Sequence, residues 1–145
     1  MALELLQLDE YETFRDLGRG AKAPAGYKHI CCHFVFDVKH DGRHKSHLVA
    51  GGHLTDVPLE SVYSGVVSLQ SLRLVIFLVE LNGLALFQAD IGNAYLEAKT
   101  KEKVYFIADA GFGAHEGHTL LIVKALYGLR TSGLCWHECF ADTYG

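Results

Sequence analysis

From His29 to Lys39 the chain alternates between apolar and polar residues. Ile30, Cys32, Phe34, Phe36 and Val38 fall on one face, and His29, His33, Asp37 and Lys39 on the other. A period of two, built from aromatic and β-branched residues, predicts a half-buried strand. Asp41-Gly42 is a two-residue hairpin signal, and Arg43 to Ala50 is the returning strand. A two-residue loop pairs Lys39 with His44 and Val38 with Lys45. Residues 30–49 are therefore expected to form a β-hairpin with Lys39, Arg43 and Lys45 close together at its tip.

The pattern elsewhere predicts a mixed order of elements. Leu3 to Glu10 reads as a helix, Tyr11 to Leu17 as a strand, and Gly18 to Gly26, with Pro24, as a loop. Gly51 to Gly65 is a second loop, containing Pro58. Ser68 is placed to cap a helix through Leu81, which Asn82-Gly83 ends. The polar stripe of that helix is thin (Gln70, Arg73, Glu80), so most of its circumference is expected to be buried. An apolar run, Leu84-Ala85-Leu86-Phe87, reads as a strand delivering Asp90 to its C-terminal end. The chain then turns at Gly92 and brings Tyr95 back near the carboxylate. Lys103 to Ala108 and Thr119 to Lys124 are two further strands around a glycine-rich loop. Gly128 breaks the chain, and Thr131 or Ser132 can cap a last helix through Trp136 and Phe140. This succession is an α+β pattern, not a repeating βαβ one.

Composition fits one globular domain with a real core. Of 145 residues, 50% are hydrophobic and 21% charged. No apolar run approaches the ~18 residues of a membrane span. Met1 to Leu6 lacks a basic leader, so an intracellular location, cytoplasmic or nuclear, is expected. The net charge of −4 is unlike that of a nucleic-acid binder taken whole. Its distribution says more. Between Lys28 and His53 four Lys or Arg stand against two Asp, a local +2 that leaves −6 elsewhere, and six of the nine histidines lie in the same window. A phosphate site, if present, belongs there.

The four cysteines do not suggest a disulfide framework, since Cys31 and Cys32 are adjacent and Cys135 and Cys139 are four apart. Zinc ligands could come from Cys31-Cys32-His33, His115-x-x-His118 and Cys135-Trp136-His137-x-Cys139. No pair has the C-x₂-C spacing of structural sites, so zinc is not the expected reading.

Four segments carry a family resemblance. They are Phe34 to Lys45 followed by Leu48-Val49-Ala50; Tyr63-Ser64-Gly65-Val66-Val67-Ser68 and the helix after it; Asp90-Ile91-Gly92-Asn93-Ala94-Tyr95-Leu96; and Lys124-Ala125-Leu126-Tyr127-Gly128-Leu129-Arg130, with Trp136 beyond. In this order and at these spacings they resemble copia-type retrotransposon reverse transcriptases, over nearly the whole chain from about residue 6 onward. The resemblance implies the fingers and partial palm of a right-hand polymerase, with helices packed on an antiparallel sheet. Residues 11–65 would be fingers and 66–145 an incomplete palm.

By that resemblance Asp90 is the catalytic and metal-binding carboxylate, assisted by the Ile91 carbonyl. Tyr95 gates against a ribose 2′-hydroxyl, and Lys39, Arg43 and Lys45 face an incoming triphosphate. Leu126, Tyr127, Gly128, Leu129 and Arg130 line the template and nucleotide pocket. The implied partners are an RNA or DNA primer–template and dNTPs. The implied cofactor is Mg²⁺, two ions of which stabilise the attacking and leaving oxygens of an in-line phosphoryl transfer.

The match has gaps. No Asp-Asp pair occurs, so the family's Tyr-x-Asp-Asp motif is absent, and so is the thumb. One carboxylate holds two divalent ions poorly, so the chain alone is expected to be inactive and to bind Mg²⁺ weakly. Without the strand pair that carries the Asp-Asp turn, an exposed palm edge and self-association are expected. His47 stands where the family usually has arginine, and Cys31, Cys135 and Cys139 stand where relatives tend to carry basic residues. Each such change is a single transition in an arginine codon, the pattern of retroelement decay or of ordinary drift in an active element. The alternatives to an enzyme fragment are a non-catalytic nucleic-acid-binding module and an inert, decayed retroelement relic.

Overall fold

A computed structural model describes residues 2–57, 62 and 64–144. Pro58 and Tyr63, both named above, lie outside the described residues. The chain begins with α1 (Ala2–Glu10) and β1 (Phe14–Arg19), followed by β2 (Lys28–His29), β3 (Cys32–Val38) and β4 (His44–Ala50). Then come α2 (Leu69–Leu81), α3 (Ala94–Glu97), β5 (Val104–Ile107), β6 (His118–Ile122) and α4 (Ser132–Tyr144). Short 3-10 turns occupy Gly52–Leu54 and Ala110–His115. The expected α+β class is what the structure shows.

β3 and β4 form their own two-stranded antiparallel ribbon, while the other four strands are ordered β1-β6-β5-β2. That sheet is antiparallel except where β2 runs parallel to β5. Its core is continuous with the ribbon. Phe106 and Phe112 stack at 5.2 Å between ring centres, and Phe14 and Phe34 each lie 5.4 Å from one of that pair. Leu8 from α1, Ile30, Leu48, Leu120, Ile122, Leu126 and Leu129 close the same cluster. The apolar face read from the alternation in β3 is therefore the face that meets the core, at least as far as Phe34. Beyond it Phe36 and Val38 are exposed, because the ribbon projects past the sheet.

The hairpin forms as expected, but its register differs by one residue. Val38 pairs with His44 and Asp37 with Lys45, while the Lys39 N–H bonds the Arg43 carbonyl at 2.9 Å. The loop is thus His40-Asp41-Gly42, with Gly42 in the left-handed region at φ 81°. This is the three-residue hairpin that closes with a glycine bulge. The Asp41 carboxylate selects it by accepting the Arg43 N–H at 3.1 Å.

Two further expectations fail, and they fail together. α2 has the predicted caps: Ser68 Oγ accepts the Ser71 N–H at 3.0 Å, and the Asn82 side chain bonds the Leu78 carbonyl at 2.7 Å. Yet none of its residues is buried. The segment from 84 to 91 is not a strand either, and Asp90 sits in irregular, exposed chain. A strand exists only through its ladder, and an apolar helix buries its circumference only against neighbours. The described residues supply neither to this stretch, and Phe87 is 90% exposed.

Candidate functional site

The turn after Asp90 falls at Gly92-Asn93, and Asn93, not Gly92, takes the left-handed conformation at φ 52°. Asparagine tolerates that region better than most residues. The turn starts α3, places Tyr95 half-buried on its first turn, and buries Leu96 in the core. Asp90 and Ile91 precede it and are exposed.

Tyr95 meets the second recognisable block directly. Its ring centre is 4.9 Å from that of Tyr127, at 58°. On its other side Tyr127 lies 5.2 Å from the His47 imidazole. His47 Nδ1 is in turn 3.7 Å from a carboxylate oxygen of Glu4 on α1. A row His47–Tyr127–Tyr95 therefore joins the ribbon, the Ala125-to-Arg130 segment and the turn after Asp90. Burial pushes the Tyr127 phenol pKa up, and the negative fields of Tyr95, Glu4 and Asp90 push it the same way.

Of the other residues in that block, Leu126 and Leu129 point into the core, at 1% and 6% exposure. Tyr127, Gly128 and Arg130 are the exposed members. The Tyr127 carbonyl accepts the Ala50 N–H at 2.7 Å. Arg130 donates through Nε to the Gly52 carbonyl at 3.0 Å and through a terminal nitrogen to the His53 carbonyl at 3.3 Å. Gly128, at φ 91°, has no room for a side chain against Ala50, and Gly52 has none against Gly128. The block is a clasp on the end of β4.

The three tip cations share a ribbon face by register, with Lys39 opposite Arg43 and Lys45 opposite Asp37. Two carboxylates share that end of the ribbon. Arg43 is chelated by Asp41, its Nε 2.7 Å and a terminal nitrogen 2.6 Å from Oδ2. The Arg43 guanidinium and its backbone N–H hold the Asp41 carboxyl below the ordinary aspartate value. Among the described residues no hydrogen bond or ion pair joins the tip cations to Asp90. The sequence reading missed Glu4, the role of Gly52 and the aromatic row. His47 was the available signal, because it shares the polar ribbon face with Lys45.

A cation site at Asp90 can be tested against the residues present. Mg²⁺ takes about six hard oxygens and is held by carboxylates plus waters and substrate phosphates. Among the described residues Asp90 belongs to no cluster of three ligating side chains. Asp90 with the Ile91 carbonyl does not amount to a two-ion site, and no chemical step is assigned to metal there.

The family profile described as "Reverse transcriptase (RNA-dependent DNA polymerase)" matches residues 15–144. The chain belongs to that family. It is similar to the Transposon Ty1-NL1 Gag-Pol polyprotein of Saccharomyces cerevisiae, at 31% identity over 137 residues, covering 93% of this chain and 8% of the polyprotein. It is equally similar to the Truncated transposon Ty1-A Gag-Pol polyprotein of the same yeast, at 31% identity, covering 93% of this chain and 11% of that protein. The chain corresponds to a segment of a retrotransposon reverse transcriptase, as the motifs implied. No solved structure matches. Among the described residues no helix is long and apolar enough to cross a membrane.

Proposed function

We propose that this chain supplies the fingers and the first part of the palm of a copia-type reverse transcriptase, with residues 11–65 as fingers and 66–145 as palm. In this reading Asp90 is the metal-binding carboxylate of the assembled enzyme, and the Ile91 carbonyl is its auxiliary. Tyr95 tests the sugar of the incoming dNTP. Lys39, Arg43 and Lys45 meet its phosphates, and Tyr127, Gly128 and Arg130 present the template-facing edge of the clasp. Leu126 and Leu129 support that edge from the core. The observation that carries the reading is the row His47–Tyr127–Tyr95, which ties the cationic ribbon to the turn carrying Asp90.

Catalysis needs more oxygen ligands than Asp90 can gather. The chain alone therefore gives no template-directed synthesis with Mg²⁺ or Mn²⁺. Primer extension on a homopolymer template is the test, and extension abolished by Asp90→Ala would overturn the reading of inactivity.

A second reading is a non-catalytic module that grips nucleic acid through the ribbon, favoured by three cations on one face of a projecting hairpin. Fluorescence anisotropy with a labelled primer–template separates it from an inert relic. Three or four phosphate contacts give a slope of log K against log salt of about −2 to −4. Neutralising Lys39, Arg43 and Lys45 together should abolish that binding. Unchanged binding would remove the ribbon from the site.

A further inference from the structure

A second cluster of chemistry-bearing side chains lies at the seam between β1 and β6 and includes neither Asp90 nor Tyr95. The β1–β6 ladder pairs Asp16 with Leu120 and Arg19 with His118, so β1 carries a bulge between Asp16 and Arg19. Gly18 makes the bulge possible at φ 97°. Bulges bend a strand and re-aim a side chain. Here the Gly18 N–H is held by Asp16 Oδ1 at 2.7 Å, which leaves Oδ2 facing outward.

Two imidazoles meet that oxygen. His118 Nδ1 lies 2.8 Å and His115 Nδ1 3.1 Å from Asp16 Oδ2. The rings are nearly perpendicular, at 88°, with centres 5.6 Å apart. The three donor atoms all lie within 4.8 Å of one another, and this is the one such cluster of three among the described residues. The loop that bears His115 and leads into His118 at the start of β6 is tied on several sides. Phe112 anchors it in the core, the Gly117 N–H bonds the Ala108 carbonyl at 2.8 Å, and Arg19 Nε bonds the Glu116 carbonyl at 3.2 Å. A small cavity of about 160 Å³ opens beside Asp16 and His115, with Asp9 of α1 on its wall.

We propose that Asp16, His115 and His118 bind a divalent transition-metal ion, Zn²⁺ by preference, and so clip β1 to the start of β6 and the loop preceding it. Two imidazole nitrogens and one carboxylate oxygen, with a position left for water, form a donor set that suits zinc. Mg²⁺ and Ca²⁺ prefer all-oxygen sites. In a tetrahedron with bonds of ~2.0 Å, ligand atoms stand about 3.3 Å apart. The two nitrogen–oxygen spacings, 2.8 and 3.1 Å, need only open slightly to admit the ion. The Gly18 N–H is the outer partner that fixes the carboxylate, as metal-ligating groups commonly require. The competing account is a plain carboxylate–histidine ion pair with no metal.

The test uses the full chain, freed of metal with a chelator and titrated with ZnCl₂ by calorimetry, with thermal melting in parallel. One ion binds per chain, and the melting temperature rises with Zn²⁺ concentration. His115→Ala and His118→Ala each weaken binding by about tenfold or more. His33→Ala and Cys139→Ser leave it unchanged. Co²⁺ in place of Zn²⁺ gives visible bands without the charge-transfer absorption of a thiolate ligand. Absence of stoichiometric binding overturns the site, as does wild-type affinity in the double histidine variant or a thiolate band. If His118→Ala fails to fold, His115→Ala decides alone, because His115 is exposed.

Discussion

Gly52 and Gly128 pack backbone against backbone, so that a Cβ on Gly52 would collide with the Gly128 carbonyl. Their approach is what lets the Tyr127 carbonyl reach the Ala50 N–H and what brings Tyr127 beside His47. The first expected outcome follows. Gly128→Ala forces a side chain into the left-handed region, at about 1–2 kcal/mol, and into the Ala50 carbonyl, at about 1–3 kcal/mol more. Gly20→Ala, at φ 65° but with nothing nearby, should show only the first part. Urea melts of the two variants check this, and equal losses would remove the clasp argument.

Asp41 and Arg43 set the charge available at the ribbon tip. The Arg43 side chain, then its backbone N–H, lowers the Asp41 pKa below 3.8. A depressed carboxylate contributes its pairing above the ordinary value and loses it as pH falls through the lower folded value. The chelate therefore holds at neutral pH and opens as the pH falls below the ordinary aspartate range. Arg43→Ala should move the Asp41 titration upward, read by carboxyl-carbon NMR. Asp41→Asn should release the guanidinium and steepen the salt dependence of polyanion binding by about one phosphate contact. A flat response to Asp41→Asn would show that Arg43 does not reach a ligand.

α2 and the chain after it expose Phe77 and Phe87. Exposed apolar surface of this kind favours association. Phe87→Gln should reduce self-association in sedimentation velocity while changing the stability of the monomer by no more than about 0.5 kcal/mol. Unaltered association would place the contact elsewhere, the free edges of the sheet being the next candidates.

The adjacent cysteines should differ chemically. Cys31 is exposed, whereas burial, reinforced by Cys31 and Asp109, pushes the Cys32 thiol up to about 12. The thiolate is the reactive form. Alkylation followed by peptide mapping should modify Cys31 first, and Cys32 should stay slow up to about pH 10 in the folded chain. Equal rates at pH 8 would contradict the burial of Cys32.

Features that depend on neighbours in sequence were legible in advance. The alternation in β3 and β4, the caps of α2 at Ser68 and Asn82, and the strands around Phe106 and Leu120 all appear in the structure. The hairpin register slipped because Asp41-Gly42 fits both a two-residue and a three-residue loop, and only the Asp41–Arg43 contact separates them. The Asp90 segment was misread for a different reason. Leu84 to Phe87 has the composition of a strand, but pairing needs a partner that composition cannot name. The same holds for the buried face expected of α2. Of the candidate site, Asp90, Tyr95 and the tip cations were visible as residue types. The row through His47 and Tyr127 was not, because it joins positions eighty residues apart. Asp16, one hundred residues from His115 and His118, was hidden for the same reason.

Phe14 in β1 pairs with Ile122 in β6. On a ribosome, β1 must wait for more than a hundred residues of synthesis before its partner exists. The β3–β4 ribbon closes over a three-residue loop and needs no such delay. Loop-closure entropy therefore favours closing the cationic ribbon before the sheet that supports it. During the interval Phe14 lacks its aromatic partners Phe106 and Phe112. That waiting period, more than the finished fold, is when apolar surface stands open to wrong partners.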